Sequence, residues 1–442
     1  MNIESDFFGF STLENKALYM KEDFLHYLWK YQLFDLSKIK ENSEEDIQIV
    51  SAGLNNQDAG PDFLNSQIRI DGQLWVGNVE IHLKSSDWYL HQHENDPNYD
   101  AVILHVVWED DVEVFMKNDQ PLPTLELKEF VDESLLKKYR KLTKTKNLWI
   151  PCEKQFRKVD EFLVGNWLER LYIERLERKS VWIEDLLHQY KNDWEAVLFL
   201  LLAKNFGLNK NGESFLQMAR KIPFSILRKE RSESVQLSAL LFGQSGFLEE
   251  EVEESYYQDL KSRYQYLCHK YKLMSVAQNQ FHFFRMRPAN FPTIRIAQLS
   301  ALYSRHENLF SKLMYASRVE EVYGLFNITI DEFWKTHYTF SKESRKSLKK
   351  LTKSFIDLVL INTIIPLQFA YQKAQNILDE EKIIDLLIQL KPEKNSIVTK
   401  FLEMKIQVRN AFETQALLEL KNNYCAKKRC LQCAIGNELL KR

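Results

Sequence analysis

The dipeptide Asp71-Gly72 constrains this chain more than any other feature. It falls between two alternating runs, Ser66–Ile70 and Gln73–Leu83. A two-residue Asp-Gly connection favours a type I′ turn whose twist matches the strands it joins, so the runs are expected to pair as an antiparallel hairpin. Pairing then fixes faces. Glu80, His82 and Lys84 point one way from the second strand, while Val79, Ile81 and Leu83 point the other. Ala101–Trp108 is continuously apolar, as a strand covered on both faces requires. Ile47–Ala52 reads as a short strand. Glu22–Phe34 reads as a helix, with Phe24, Tyr27, Leu28, Tyr31 and Phe34 at helical spacing. Val112–Phe115 and Thr124–Leu127 suggest a further hairpin. The order over the first third is helix, three strands, a loop or helix, and a strand.

From Asp132 onward the periodicity becomes helical. Helices are expected over Val159–Leu187, Trp194–Phe206 (closed by Gly207), Tyr256–Lys272, Thr293–Ser304, Ile330–Tyr338, Lys342–Gln372, Ile383–Leu390 and Asn410–Leu420. The fold class is α+β, a mixed sheet flanked by helices followed by a mainly α-helical region. The expected divisions are a leader or mis-assigned start over residues 1–19, an α/β domain over 20–145, helical domains over 146–424, and a cysteine-containing segment over 425–442.

Sixty Lys and Arg against 62 Asp and Glu leave a formal charge of −2. No global field therefore draws the chain to nucleic acid, and such binding must come from local basic patches. The most apolar stretch, Phe355–Tyr371, is interrupted by Asp357, Asn362 and Pro366, which reads as a buried core helix and implies no membrane partner. Five cysteines, three clustered near the end, do not make a secreted disulfide framework, so a reducing cytoplasm is expected.

Chemistry concentrates between Asn56 and Trp108. Asp62 follows the Gly60-Pro61 bend at the mouth of the strand before Glu80. Two carboxylates brought together by neighbouring strands repel unless protonated or bridged by a cation. Oxygen donors of this kind suit Mg²⁺ or Mn²⁺, which activate water and stabilise a phosphoryl transition state. His91 and His93 either join Glu80 or His82 in a zinc or manganese site or belong to a solvated polar loop in which His93 or Asp96 caps a turn. His105, in an apolar strand, reads as a core histidine.

These residues resemble the PD-(D/E)XK nucleases, whose core is a helix, a three-stranded meander, a second helix and a fourth strand. Pro61-Asp62 matches the PD element and Glu80-Ile81-His82 the (D/E)XK element, over residues 20–130 of this chain. The resemblance implies a restriction-endonuclease-like sheet, Asp62 and Glu80 as metal ligands, and Glu22 as a further acidic contributor. His82 stands where the family has Lys. Lys84 cannot simply replace that Lys, because it lies about 7 Å further along the strand. His82 then serves as the polar or general-base group, or the site binds without cutting. By the runs GPDFLNSQIRI, VEIHLKSSDW with HQH, and CLQCAIG, the whole chain also resembles an uncharacterised bacterial protein family.

At the end of the chain, Cys425, Cys430 and Cys433 have a spacing that can hold Zn²⁺ or part of an iron–sulfur cluster, with Cys152 the natural fourth ligand and Cys268 the second choice. Lys342, Arg345, Lys346, Lys349, Lys350 and Lys353 are expected to form a cationic stripe on a helix, either tracking phosphates or merely solvated. Arg285, Arg287 and Arg295 make a second basic group beside Phe281, Phe283, Phe284 and Phe291, which stack on bases or pack in a core. The expected function is a divalent-metal-dependent nuclease in which Asp62 and Glu80 hold the metal and His82 assists. The alternatives are a non-catalytic nucleic-acid-binding or assembly protein with a degenerate site, and a zinc hydrolase built on His82, His91 and His93.

Overall fold

The computed structural model describes residues 20–35, 47–56, 58–143, 148–273 and 281–441. The expected leader, residues 1–19, lies outside them. Contacts divide the chain into two compact units. One holds the described residues up to Trp167 and those from Lys421 onward; the other is Leu168–Leu420.

The first unit is built on a six-stranded mixed sheet. Helix α1 (Glu22–Tyr31) precedes β1 (Ile47–Ser51), β2 (Leu54–Asn55), β3 (Phe63–Ile70) and β4 (Gln73–Lys84). The short helix α2 (Asp87–Leu90) and two 3₁₀ turns lead to β5 (Val102–Glu109) and β6 (Thr124–Glu126). The spatial order is β1-β3-β4-β5-β6, with β2 paired to β3. The Asp71-Gly72 hairpin forms as expected, both residues at positive φ, with Ile70 opposite Gln73. At the other end of the hairpin Phe63 is opposite Val79. In an antiparallel pair this places Asp62 across from Glu80.

The β4–β5 and β5–β6 pairs are parallel. The second expected hairpin therefore forms differently. Val114 and Leu122 close a small antiparallel turn of their own, Leu122 N donating to Val114 O at 2.8 Å. Residues 110–123 thereby act as a crossover that delivers β6 parallel to β5, because parallel neighbours need a connection of about a dozen residues.

Both faces of β4 are covered over residues 79–82. Val79 and Ile81 are fully buried, but so are Glu80 and His82, at 5% and 1% exposure. The polar face is covered by α1 and by the loop after β4. On α1, Phe24, Tyr27 and Leu28 are buried as their spacing required, joined by Leu25 and Trp29, whereas Tyr31 at the last turn is exposed and Phe34 is buried beyond the helix end. The expected boundary near residue 145 falls inside this unit, and the 425–442 segment belongs to it. Lys421 Nζ donates to Trp149 O at 2.7 Å, and Lys138 Nζ to Leu440 O at 3.4 Å.

The second unit is helical. Trp194–Phe206 forms at the expected bounds, capped by the Asp193 side chain on Ala196 N. Lys353–Ala374 is long and apolar enough to cross a membrane by length and composition, yet 72% of its most apolar window is buried inside the protein. A π turn at Leu360–Ile364 precedes Pro366, whose missing N–H leaves the preceding turn short of a hydrogen bond.

The cationic stripe requires correction. Helix starts only at Lys353, capped by Thr352. Lys342 is in a two-residue strand, and Arg345, Lys346, Lys349 and Lys350 lie outside any helix or strand. Tertiary partners replace the intrahelical bonds: Ser344 N donates to Thr336 O and Ser347 N to Lys335 O. Lys349 is buried, giving its ammonium to Lys335 O at 3.0 Å. No single face carries the six charges.

Candidate metal centre

Three elements and one loop assemble the site. Helix α1 carries Glu22 and His26, one turn apart and so on one face. The mouth of β3 supplies Asp62, and β4 supplies Glu80 and His82. The loop after β4 supplies His91 and His93, with Gln92 between them in the left-handed region at φ +61°. That residue turns both rings toward β4.

Asp62 and Glu80 lock the two strands reciprocally. Asp62 N donates to Glu80 Oε2 at 3.2 Å, and Ile81 N donates to Asp62 Oδ2 at 3.0 Å. His26 Nε2 lies 3.2 Å from Asp62 Oδ2. Glu80 Oε1 lies 3.4 Å from His82 Nε2 and 3.3 Å from His93 Nε2. His82 Nε2 is 3.1 Å from His91 Nδ1, and its Nδ1 is 2.9 Å from His105 Nε2.

Two donor groups result, each with its atoms within 4.8 Å of one another: Glu22, His26 and Asp62, and His82, His91 and His93. Glu80 lies between them, one oxygen beside His82 and His93 and the other accepting from the Asp62 backbone N–H. Donors about 2.0–2.1 Å from a tetrahedral ion stand about 3.3 Å from one another. The 3.1 to 3.4 Å separations around His82 Nε2 and Glu80 Oε1 fit that spacing. His26 Nε2 and His93 Nε2 are buried without a hydrogen bond, although each is close to a carboxylate oxygen.

The electrostatics are those of an uncompensated cluster. Burial raises Glu22 to about 7, and the charges of Asp62 and Glu80 add to the rise. Burial also raises Glu80, Asp62 adding to it and His93 opposing it. Burial alone would lower His26, but the Asp62 carboxylate, with Glu22 and Asp23, outweighs it and raises the group. Burial pushes His82 down to about 2, helped by the surrounding His105, His93 and His91, so its ring is neutral. His105 is likewise lowered to about 3, first by burial.

Trp88 and Tyr99 frame the histidines. Tyr99 stacks on His93 at 3.8 Å between ring centroids, and Trp88 lies 5.4 Å from His93 and 5.5 Å from His105. His91 is exposed and opens the group to solvent. Asp96 caps the following turn, accepting from Asn98 N at 2.9 Å.

The structure thus brings together Asp62, Glu80, His82, His91 and His93 with Glu22. His26 and His105 were not expected in the site. The signal for His26 is its position four residues after Glu22. Lys84 points away, 3.6 Å from Asp111. Cys152, Cys425, Cys430 and Cys433 form a separate group in the same unit. Of the second basic group, Arg285 and Arg287 are exposed, but Arg295 is consumed internally. It is buried, bonds Gln298 and Asn290, and sits 3.6 Å over the Phe355 ring.

One prediction follows from Glu22. Its pKa of about 7 exceeds the ordinary 4.5, so the folded protein holds this proton more tightly than the unfolded chain. Ionising it as pH rises from 4.5 to about 7 therefore removes stability from metal-free protein. Glu22→Gln is expected to melt higher than the parent at about pH 8 and to lose that advantage at about pH 4. An equal difference at both pH values would contradict the assignment.

The chain belongs to the DUF2851 family, described as a protein of unknown function, whose match spans residues 22–396. That span includes every residue of the carboxylate and histidine cluster and ends before the terminal cysteines. No curated protein and no solved structure matches the chain.

Proposed function

We propose that this chain is a divalent-metal-dependent phosphodiesterase acting on nucleic acid, with its metal held by Asp62 and Glu80. The observation that carries the reading is the crowding of Glu22, Asp62 and Glu80, the first two half-buried and the third buried, with histidines and no Lys or Arg within ion-pair distance among the described residues. A bound divalent ion would relieve that crowding and would supply an activated water and Lewis acidity toward a phosphate. The helix-meander-crossover-strand order and the position of Asp62 opposite Glu80 support the resemblance to the PD-(D/E)XK nucleases.

The residues divide the work. Asp62 and Glu80 are the anionic ligands, and Glu22 adds a third carboxylate from α1. His82, neutral, is hydrogen-bonded through Nδ1 to His105 Nε2; with its proton on Nδ1 it would present the Nε2 lone pair toward Glu80 and His91. In this reading it is a ligand, not a cation in place of the family's Lys. His91 and His93 complete a nitrogen-rich side. Imidazole favours transition ions while carboxylates suit Mg²⁺ and Mn²⁺, so the mixed set favours Mn²⁺ or Zn²⁺ over Mg²⁺. The competing reading, a non-catalytic nucleic-acid-binding or assembly protein, draws on the same neutral His82 in the lysine position.

Cleavage of end-labelled single- and double-stranded DNA and RNA decides between them. The expected result is cleavage with Mn²⁺ exceeding that with Mg²⁺, abolished by chelator and reduced at least about 100-fold in Asp62→Asn. Nucleic acid bound but uncut with Mg²⁺, Mn²⁺ or Zn²⁺ would overturn the enzymatic reading.

A further inference from the structure

Four of the five cysteines meet in the first unit, from positions far apart in the chain. Cys430 and Cys433 bracket a 3₁₀ turn, Cys433 N donating to Cys430 O at 3.3 Å. At about three residues per turn, side chains three apart lie over one another. Cys425 ends the π turn Leu420–Cys425, and the chain then doubles back through Lys428 at φ +55° to place Arg429 N on Tyr424 O at 2.9 Å. Lys421, from the same turn, donates to Trp149 O and lies 4.9 Å over the Trp149 ring. That contact ties the Cys152 turn, where Gln155 N and Phe156 N both bond Cys152 O at 2.8 Å, to the terminal segment.

The close approach is built in. A Cβ on Gly436 would lie 2.0 Å from Cys430 O, so only glycine lets the last helix, Ala434–Lys441, start against the Cys430 turn. Cys152 and Cys433 are buried, Cys425 and Cys430 half-buried, and none is in a disulfide. Every pair among the four acts on one another electrostatically. Burial raises all four thiols; against it, the Ile435 and Gly436 N–H groups and the Trp167 indole favour the charged form of the Cys433 sulfur, and Lys421 and Lys428 that of Cys425 and Cys430. Thiol groups gain little from such surroundings. Thiolates on a metal gain from each of them.

We propose that Cys152, Cys425, Cys430 and Cys433 hold an iron–sulfur cluster that fastens the end of the chain to the first unit. Spacing selects the cluster over a single zinc ion. Four thiolates on zinc, at about 2.3 Å, stand about 3.8 Å apart. Among the described residues, the groups of three or more donors whose atoms all lie within 4.8 Å of one another are the two carboxylate and histidine groups, so no three of the four sulfurs are all that close. Thiolates on different irons of one cluster stand apart in this way. The cluster would stand whether or not the carboxylate site cleaves nucleic acid.

The full chain, purified without oxygen, is expected to be brown, with broad visible charge-transfer absorption, and to carry iron and acid-labile sulfide in equal amounts. Cys430→Ser and Cys433→Ser are expected to lose at least about half of both. Cys268→Ser, in the other unit, retains them. Since the first two variants could fail to fold, metal and sulfide analysis of the parent stands on its own, and far-ultraviolet circular dichroism checks the variants. One equivalent of zinc without sulfide, metal-free parent protein, or iron unaffected in folded Cys430→Ser would each overturn the proposal.

Discussion

Replacing Glu80 by Ala is expected to weaken Mn²⁺ binding more than about 100-fold and to lower cleavage by about three orders of magnitude. Glu80 lies between the two donor groups, 3.4 Å and 3.3 Å from two histidine nitrogens and accepting from the Asp62 backbone N–H. Losing an outer partner of a metal ligand costs about 10–100-fold in affinity, and losing a ligand costs more. Several kcal/mol of transition-state stabilisation by the ion correspond to about a thousandfold in rate. The burial that raises Glu80 gives the variant a second signature: its loss should lower the melting temperature of metal-free protein more at low pH, where the buried acid is protonated, than at high pH. A titration with Mn²⁺ and melting curves at low and high pH test both statements. Unchanged Mn²⁺ affinity in Glu80→Ala would remove Glu80 from the site.

Trp88→Ala is expected to destabilise the protein by about 3–5 kcal/mol, measured by denaturant unfolding. Trp88 is fully buried in a cluster with Tyr99, Val102, Val114 and Leu122. Those residues come from the histidine loop, β5 and the small turn of the crossover, so a cavity there loosens all three. The same ring borders His93 and His105. The loss should therefore extend to metal affinity, whereas Trp88→Phe keeps most of the packing and should retain binding. A cost under about 1 kcal/mol for the alanine variant would mean that the loop is not held as described.

Much of the centre was legible in the sequence, for local reasons. Asp71-Gly72 fixes the hairpin, the hairpin fixes its register, and the register sets Asp62 across from Glu80. The Glu80–His82 pairing follows from strand alternation alone. His26 needed a further step, because helical spacing in α1 was read for its apolar face, while Glu22 and His26 form the opposite one. His105 was obscured by its apolar neighbours. It is indeed fully buried, but its ring partner is His82.

The failures have a common cause in tertiary competition. Lys342–Lys353 has helical charge spacing, but Ser344 and Ser347 bond across to Thr336 and Lys335 through their backbones, and Gln298 takes Lys349 O at 2.9 Å. Spacing of exposed charges is a weak helix signal when the backbone finds other partners. Arg295 fails as a phosphate contact for a different reason. Its guanidinium is desolvated beneath Phe355, and burial lowers it to about 10. The parallel pairing of β6 depends on a crossover length that strand patterns do not reveal.

The most direct test of the metal centre is free Mn²⁺ measured by electron paramagnetic resonance during titration of the full chain. The structure predicts saturable uptake by the parent, loss of that uptake in Asp62→Ala and in Glu80→Ala, and its retention in Lys84→Ala, since Lys84 faces Asp111 instead. No uptake by the parent, or uptake untouched by loss of either carboxylate, would contradict the account.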